Sequence, residues 1–221
     1  CNRNIGVGAD GLILLENHQK LDFKMIYFNS DGKETSMCGN GGRCIVSFAN
    51  KLSIIKDKAK FMAIDGAHEG LVDHGIVSLQ MNNVKLIEQI QNGYVLDTGS
   101  PHYVEFHDSI NELDVIIKGR QIRNEKKISS NGINVNFVQV INNSCIKVRT
   151  YERGVENETL SCGTGVVAAV LSAFTRGSVE GNKIKVITLG GDLYVSFNFN
   201  NPIFENIWLE GPAVEVFKGK I

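Results

Sequence analysis

The octapeptide E-T-S-M-C-G-N-G at residues 34–41 recurs as E-T-L-S-C-G-T-G at residues 158–165. Both copies share the pattern E-T-x-x-C-G-x-G, and both lead into a segment whose apolar content is typical of a packed helix. The two cysteines, Cys38 and Cys162, are 124 residues apart in a chain of 221 residues. We therefore predict an internally duplicated protein in which each half carries one equivalent thiol.

Each copy is expected to place its cysteine at the start of a helix. Thr35 and Ser36 can cap one helix and Thr159 and Ser161 the other. The predicted helices cover residues 39–50 and 163–175. A helix start offers unpaired N–H groups and the positive end of the helix dipole, which lower the pKa of a thiol from about 8.5 toward neutrality. The flanking glycines let a ligand approach the backbone, and the same N–H groups can hold a carboxylate.

The composition is that of an ordinary globular chain, long enough for one or two domains. Hydrophobic residues make up 43%, and 23 basic against 24 acidic residues leave a net charge of -1. This balance indicates no nucleic acid and no membrane surface as a partner. No apolar run approaches the roughly 18 residues of a transmembrane helix. The five cysteines are few and odd in number, which argues against a disulfide framework. We expect a cytoplasmic protein.

Short apolar or alternating segments predict strands along most of the chain. They lie at residues 12–15, 23–28, 61–64, 69–72, 76–81, 93–97, 103–106, 133–140, 145–151, 183–189, 192–197 and 207–209. Residues 56–60 are predicted as a charged linker, residues 98–102 as a turn, and residues 119–130 as a short helix and loop. We therefore predict an α+β fold with two pseudo-symmetric halves, each a mostly antiparallel sheet wrapped around a central helix, and an active site in the cleft between them.

Residues 6–11 match G-x-G-x-x-G, the fingerprint of dinucleotide-binding proteins. That fingerprint needs a strand before it and a helix after it, whereas only five residues precede this copy and a strand-like run follows. The sequence therefore favours a glycine-rich turn into a strand over an oxidoreductase that binds a dinucleotide.

Metal binding, a disulfide and simple burial are the other roles for these cysteines. Cys38 and Cys44 have five residues between them rather than the two to four of a zinc knuckle, and Cys162 has no cysteine nearby, so no metal is expected. A Cys38–Cys162 disulfide stays open as an oxidation product. Burial in the core is common for cysteines and suits Cys44 and Cys145, whereas the repeated glycine-flanked helix starts favour reactivity for the other pair.

Two thiols at helix starts suit inversion of a stereocentre. One thiolate removes a proton from a carbon acid, and a thiol on the opposite face returns one. Because the carbon α to an amino acid's carboxylate is a very weak acid, the site must stabilise developing negative charge, which converging helix N-termini do in a dry site. The candidate donors are the backbone N–H groups of Gly39, Asn40, Gly163 and Thr164.

Longer motifs resemble the diaminopimelate epimerase family over essentially the whole chain, in order. They are M-C-G-N-G with R-C at residues 37–44, Y-E-R-G at 151–154, S-C-G-T-G at 161–165, the glycine motif at 6–11, and F-N-S-D-G at 28–32. The resemblance implies an isomerase without cofactor or metal that interconverts LL- and meso-2,6-diaminopimelate in bacterial and plant lysine synthesis. It implies a small-molecule partner and leaves a homodimer open as the assembly.

The resemblance also implies roles for individual residues. Cys38 and Cys162 match the two acid/base thiols, and His102 with Glu152 matches an auxiliary polar pair that tunes thiol protonation. The residues that match substrate contacts are Asn29, Gly39, Asn40, Asn134, Glu152, Arg153, Gly163 and Thr164. Taken singly, His102 is more often a strand-end histidine bonded to backbone, Asn134 a solvent-facing strand residue, and the Glu152–Arg153 pair a surface turn. Their order within the longer motifs is what favours the functional roles.

The implied organisation is an N-terminal half at residues 1–95, a C-terminal half at 96–207, and a final strand at 208–221 that crosses back to the first half. Two departures from the family are visible. Ser100 stands where the family has asparagine, so a contact is expected to be lost or bridged by water. The family also begins with a strand and a glycine-asparagine turn that contacts substrate, and the sequence from Cys1 onward contains no counterpart. Two alternatives stay open: the protein lacks this segment, and with it a strand and one wall of the site, or the segment belongs to a longer chain that begins before Cys1.

Two rival functions remain open. One is another two-thiol racemase related to proline racemase, although those enzymes typically carry histidine where Asn40 follows the first Cys-Gly. The other is a non-catalytic binding protein on the same scaffold, which predicts ordinary thiol reactivity at Cys38 and Cys162.

Overall fold

The computed structural model describes residues 1–35 and 38–220, so the expected cap at Ser36 lies outside the described residues. The chain divides into two compact units. Unit 1 contains Cys1–Gln80 together with residues 210–220, and unit 2 is Met81–Leu209. Strands dominate both units and few helices accompany them, which confirms the predicted α+β class.

Unit 1 is a mixed sheet with one helix. Its elements are β1 (Gly11–Glu16), β2 (Phe23–Asn29), β3 (Glu34–Thr35), α1 (Gly39–Lys51), β4 (Lys58–Ala63), β5 (Gly66–Asp73) and β6 (Ile76–Met81). The strand order is β1-β2-β4-β5-β6, and β3 pairs with β2. The pairs β1–β2, β2–β3, β4–β5 and β5–β6 are antiparallel, whereas β4 runs parallel to β2 because α1 connects the two strands.

Unit 2 contains a longer sheet and two helices. Its elements are β7 (Ile87–Ile90), β8 (Gly93–Asp97), β9 (Pro101–Phe106), α2 (Val115–Arg123), β10 (Asn134–Asn142), β11 (Cys145–Glu152), β12 (Asn157–Thr159), α3 (Gly163–Thr175), β13 (Lys183–Thr188), β14 (Gly191–Asn200) and β15 (Ile203–Pro212). The strand order is β15-β14-β13-β11-β10-β9-β8-β7, and β12 pairs with β11. Among the strand pairs with a described register, β9 and β10 are parallel and connected through α2, and β11 and β13 are parallel and connected through α3. The last three residues of β15 belong to unit 1.

The predicted duplication is present in the strand pairing. A hairpin, a short strand, a helix and a second hairpin follow one another as β1-β2-β3-α1-β4-β5 and again as β10-β11-β12-α3-β13-β14. In the first copy Glu34 pairs with Phe28, and in the second Glu158 pairs with Tyr151. The Glu-Thr of each octapeptide is therefore a short strand that leads the chain to a helix start.

Both repeat helices bury an apolar face. In α1 that face contains Ile45, Val46 and Ala49, and the buried part of α3 extends over ten of its 13 residues. Gly70 on β5 lets α1 approach closely, since a Cβ there would lie 2.7 Å from Val46 Cγ2. Close packing against the sheet holds each helix start in a defined place.

Helix α2 begins at Val115, four residues before the predicted start at Gly119. Its N-cap is Asp114, whose carboxylate accepts the N–H of Ile117 at 2.8 Å. The prediction missed this cap because the β-branched run V-I-I at residues 115–117 is more typical of a strand than of a helix start.

Strand β4 begins at Lys58, inside the stretch predicted as a charged linker. Lys58 and Lys60 are exposed while Ala59 and Phe61 are fully buried, which is the alternation of a half-buried strand. The two lysines hid that alternation at the sequence level. Similarly, β9 begins at Pro101, within the predicted turn, and β7 had no counterpart among the predicted strands.

The glycine motif at residues 6–11 leads into strand β1, as predicted, and not into the helix that a dinucleotide fingerprint requires. Within residues 1–35 and 38–220, every helix is too short or too polar to cross a lipid bilayer.

Candidate active site

Cys38 is the N-cap residue of α1. Its backbone is extended, with φ −103° and ψ 152°, and its half-buried sulfur accepts the N–H of Gly41 at 3.2 Å. The sulfur thus takes the position that a serine or aspartate oxygen usually has at a helix start. A hydrogen bond from an N–H and the positive end of the helix both favour the thiolate over the thiol.

A buried arginine lies one turn along the same helix. Arg43 is 7% exposed and donates to the Gly39 carbonyl at 3.1 Å and to Asn40 Oδ1 at 3.0 Å. Burial lowers the pKa of Arg43, and the neighbouring thiols Cys44 and Cys38, when they ionise, act in the opposite direction. This coupling links the guanidinium electrostatically to the Cys38 sulfur. Sequence reasoning noted Arg43 only as part of a motif, although a charged residue amid the apolar positions of a helix is a usable signal.

The remaining predicted residues of unit 1 lie at the end of β2 and in the first turn of α1. Asn29 ends β2 with its side chain exposed, and its backbone closes the turn to Lys33 with a 3.0 Å hydrogen bond. Gly39 is buried as the first residue of α1, and Asn40 is half-buried beside it. Asn40 is oriented by the guanidinium of Arg43.

Cys162 is the N-cap of α3, the position that Cys38 holds on α1. Its backbone is extended, with φ −116° and ψ 111°, and the residue is 8% exposed. The predicted capping residues Thr35 and Thr159 are instead paired in β3 and β12. Since these threonines are held in strands, the cysteines themselves become the residues at which the helices begin.

His102 lies on β9 and is completely buried. Its Nε2 is 2.9 Å from Thr164 Oγ1 and 3.0 Å from Ser100 Oγ, and its Nδ1 is 3.1 Å from Asn136 Nδ2. Burial, followed by the nearby charge of Arg153, lowers the pKa of His102 to about 3. The imidazole is therefore neutral near pH 7 and carries one N–H.

Asn136 determines which nitrogen of His102 carries that hydrogen. Its amide nitrogen donates to the Tyr103 carbonyl at 3.2 Å, which establishes the amide orientation, and its Oδ1 accepts from Thr150 at 3.0 Å. The same nitrogen donates to His102 Nδ1, so Nδ1 is an acceptor and Nε2 bears the hydrogen. Sequence reasoning did not assign a role to Asn136, although asparagines at alternate positions of the strand predicted at residues 133–140 are a usable signal.

Asn134 joins the start of β9 to the end of β11. Its Nδ2 donates to the Pro101 carbonyl at 3.1 Å and to Ser100 Oγ at 3.3 Å, and its Oδ1 accepts the N–H of Arg153 at 2.9 Å. The residue is 5% exposed, which excludes the simple reading of a solvent-facing strand residue. Ser100, where a lost contact was expected, is bonded to three neighbours in this cluster.

Glu152 and Arg153 follow one another at the end of β11, and both are half-buried. Arg153 donates to the Gly132 carbonyl at 3.2 Å, in addition to its backbone bond to Asn134. Unit 2 therefore brings the Arg153 backbone, Asn134 and His102 into one connected group, and Thr164 extends that group to the Cys162 sulfur.

Comparison with known proteins places this sequence in a family. The family model described as diaminopimelate epimerase matches residues 1–69 and 94–215. A diaminopimelate epimerase of Flavobacterium psychrophilum is 50% identical over 222 residues, covering 100% of this chain and 87% of the relative. One from Chlorobaculum tepidum is 40% identical over 231 residues, with 100% and 88% coverage.

Solved structures share the fold at low sequence identity. A hydroxyproline epimerase from Agrobacterium vitis has a TM-score of 0.68 at 14% identity and covers 91% of this chain and 72% of its own. A putative phenazine biosynthesis protein from Clostridium difficile has a TM-score of 0.70 at 11% identity, with 96% and 83% coverage. The likeness in fold, the identity to curated relatives and the two cysteine-capped helices agree: this chain is a member of the diaminopimelate epimerase family.

Proposed function

We propose that this chain interconverts LL- and meso-2,6-diaminopimelate, with Cys38 and Cys162 as the two acid/base groups. The observation that carries the proposal is the equivalence of the two thiols. Each is the N-cap of the helix that follows the short Glu-Thr strand in its repeat, and each precedes a Gly-x-Gly turn of helix. A symmetric pair of acid/base groups is what inversion at one carbon requires, because the reaction runs in both directions.

In the proposed reaction one sulfur is a thiolate and the other a thiol. The thiolate takes the α proton and becomes S–H, while the other sulfur gives its proton to the opposite face of the same carbon and becomes a thiolate. No proton is gained or lost overall, and the isomer that is bound decides which sulfur acts as base. The N–H groups of Gly39, Asn40, Gly163 and Thr164 stabilise the charge that develops next to the substrate carboxylate.

Substrate recognition is assigned to polar groups around the two helix starts. Asn29 on unit 1, with Asn134, Glu152 and Arg153 on unit 2, supplies amide, carboxylate and guanidinium groups suited to the two amino acid ends of diaminopimelate. We place the enzyme in the cytoplasm, because thiols that cycle between S–H and thiolate need a reducing compartment.

The test is incubation of the protein with LL-diaminopimelate in D₂O. Deuterium should enter the α position as the meso isomer forms, which nuclear magnetic resonance and chiral chromatography both detect. L-Proline and hydroxyproline serve as competing substrates, because a structural neighbour is a hydroxyproline epimerase. If deuterium entered the α position of proline and not that of diaminopimelate, the chain would be a different amino-acid racemase.

Single substitutions then test the two thiols. Cys38→Ala and Cys162→Ala should each abolish epimerisation, whereas Cys145→Ala, a buried cysteine on β11, should leave it unchanged. Normal turnover by either of the first two variants is incompatible with a two-base reaction.

A further inference from the structure

The hydroxyl of Thr164 has three polar neighbours. Its Oγ1 is 2.9 Å from His102 Nε2, 3.2 Å from Ser100 Oγ and 3.5 Å from the sulfur of Cys162. Its backbone is held separately, since Thr98 donates its hydroxyl to the Thr164 carbonyl at 2.8 Å. Thr164 therefore stands between the buried histidine and the proposed acid/base sulfur, in the first turn of α3.

The direction of these hydrogen bonds follows from counting hydrogens. His102 bears its hydrogen on Nε2, because Nδ1 accepts from Asn136. Ser100 Oγ already accepts one hydrogen bond, from Asn134. If the imidazole donates to Thr164, the hydroxyl hydrogen of Ser100 also points to Thr164, because the other two neighbours of Ser100, Asn134 Nδ2 and His102 Nε2, are donors. Thr164 Oγ1 then has both acceptor positions filled.

If the imidazole donates to Ser100 instead, that oxygen has both acceptor positions filled and must donate to Thr164. In both cases every donor of His102 and Ser100 finds an acceptor only if the Thr164 hydroxyl directs its own hydrogen to its third neighbour. That neighbour is the sulfur of Cys162.

We propose that the Thr164 side chain donates a hydrogen bond to Cys162 and thereby favours its thiolate form, and that His102, Ser100 and Asn136 are positioning residues that orient this hydroxyl. The assignment rests on the proposed function for its catalytic meaning, although the hydrogen bond itself does not. It goes beyond the carboxylate contact expected of the Thr164 backbone. It also connects the fully buried, neutral imidazole of His102 to the thiol through Thr164.

The charged groups near α3 stay constant when this hydroxyl is removed. On the strands that pack against α3, Glu105 is paired with Lys118, Arg149 with Glu158, and Lys185 with Asp192. The other charged groups on these elements are Asp97 on β8, Lys147 on β11, Lys183 on β13, Glu152 and Arg153 at the end of β11, and Arg176 at the C-cap of α3. Variants at Thr164 leave all of these in place, so a difference between them reports on the hydroxyl.

The matched pair of variants is Thr164→Val and Thr164→Ser. Valine keeps the shape and removes the hydroxyl, whereas serine keeps the hydroxyl. The readout is the rate of alkylation of Cys162 by iodoacetamide between pH 5 and 10, followed on its peptide by mass spectrometry, without substrate. Loss of a hydrogen bond to a charged group should move the midpoint of the rate profile up by about one pH unit for valine, or about tenfold in rate near pH 7.

The serine variant should stay within about twofold of the original protein, with Cys38 as the internal reference. Circular dichroism confirms that each variant is folded, and Thr164→Ala replaces the valine variant if that one is not. A valine or alanine profile that coincides with the serine profile overturns the inference. That outcome is distinct from failure of the proposed function, which is judged by exchange of diaminopimelate in D₂O.

The positioning role has its own pair of variants. His102→Gln keeps an N–H donor toward Thr164, whereas His102→Leu removes it. The leucine variant should shift the Cys162 profile in the same direction as Thr164→Val, and it should lower kcat more than it raises KM. A leucine variant with an unshifted profile shows that the imidazole does not orient the hydroxyl.

Discussion

Replacing Gly165 by alanine should destabilise unit 2, although alanine favours helices. Gly165 is a buried residue in the first turn of α3, and a Cβ there would lie 2.3 Å from Asn136 Oδ1 and 3.3 Å from His102 Cε1. Asn136 is fully buried and cannot move without breaking its bonds to Tyr103, His102 and Thr150.

The magnitude follows from these contacts. Three hydrogen bonds at about 1 kcal/mol each give about 3 kcal/mol of lost stability. Alanine in place of glycine inside a helix returns about 1 kcal/mol. The expected net change is a decrease of about 2 kcal/mol in the free energy of unfolding, opposite in sign to an ordinary Gly→Ala exchange in a helix.

The assay is urea unfolding followed by circular dichroism, carried out as a double-mutant cycle with Asn136→Ala. In the Asn136→Ala background the clash is gone, so Gly165→Ala should be neutral or stabilising by up to about 1 kcal/mol. An equal destabilisation in both backgrounds would refute the reasoning, because the cost would then not come from the buried amide. A stabilising effect in the original protein would do so as well.

Two further predictions concern charged and titratable groups. The folded pKa of His102 is about 3 against an ordinary 6.5, so the unfolded chain binds the extra proton, and the free energy of unfolding should fall as pH drops from about 6.5 toward 3, by up to about 1.4 kcal/mol per pH unit. His102→Gln should remove this part of the dependence in urea titrations at several pH values, while His74→Gln, with its side chain 96% exposed, should leave it unchanged. Arg149→Lys should lower the free energy of unfolding by about 2 kcal/mol, because lysine cannot reproduce the paired bonds to Glu158 at 2.6 and 2.8 Å. Hydrogen exchange should rise at residues 110–113, because Arg149 donates to the carbonyls of Ile110, Asn111 and Leu113, and unchanged exchange there would contradict that role.

Local patterns predicted the elements that depend on neighbours in sequence. The helix at residues 163–175 and the strand at 76–81 have the predicted ends, because apolar periodicity and the glycines around each cysteine act within a few residues. The duplication was visible for the same reason, since the octapeptide recurs with its cysteine at a helix start. The start of α2 was missed because a single residue, Asp114, marks it. The start of β4 was missed because two exposed lysines hide the alternation of that strand.

The connected group behind Cys162 depends on long-range pairing. His102 and Asn134 are 32 residues apart and face each other only because β9 and β10 are parallel, and Asn136 comes opposite Thr150 through the register of the next pair. Periodicity predicts that a strand exists and which face is buried, but it does not name the partner strand.

The amino acid sequence alone determined the family, the two thiols and the helix starts that carry them, because these features are written in contiguous residues. Only the tertiary structure decided that His102 is buried, that its hydrogen is on Nε2, and that Thr164 joins it to Cys162. The physical reason is that the direction of a buried hydrogen bond is set by all partners at once, and here those partners come from β9, β10 and α3.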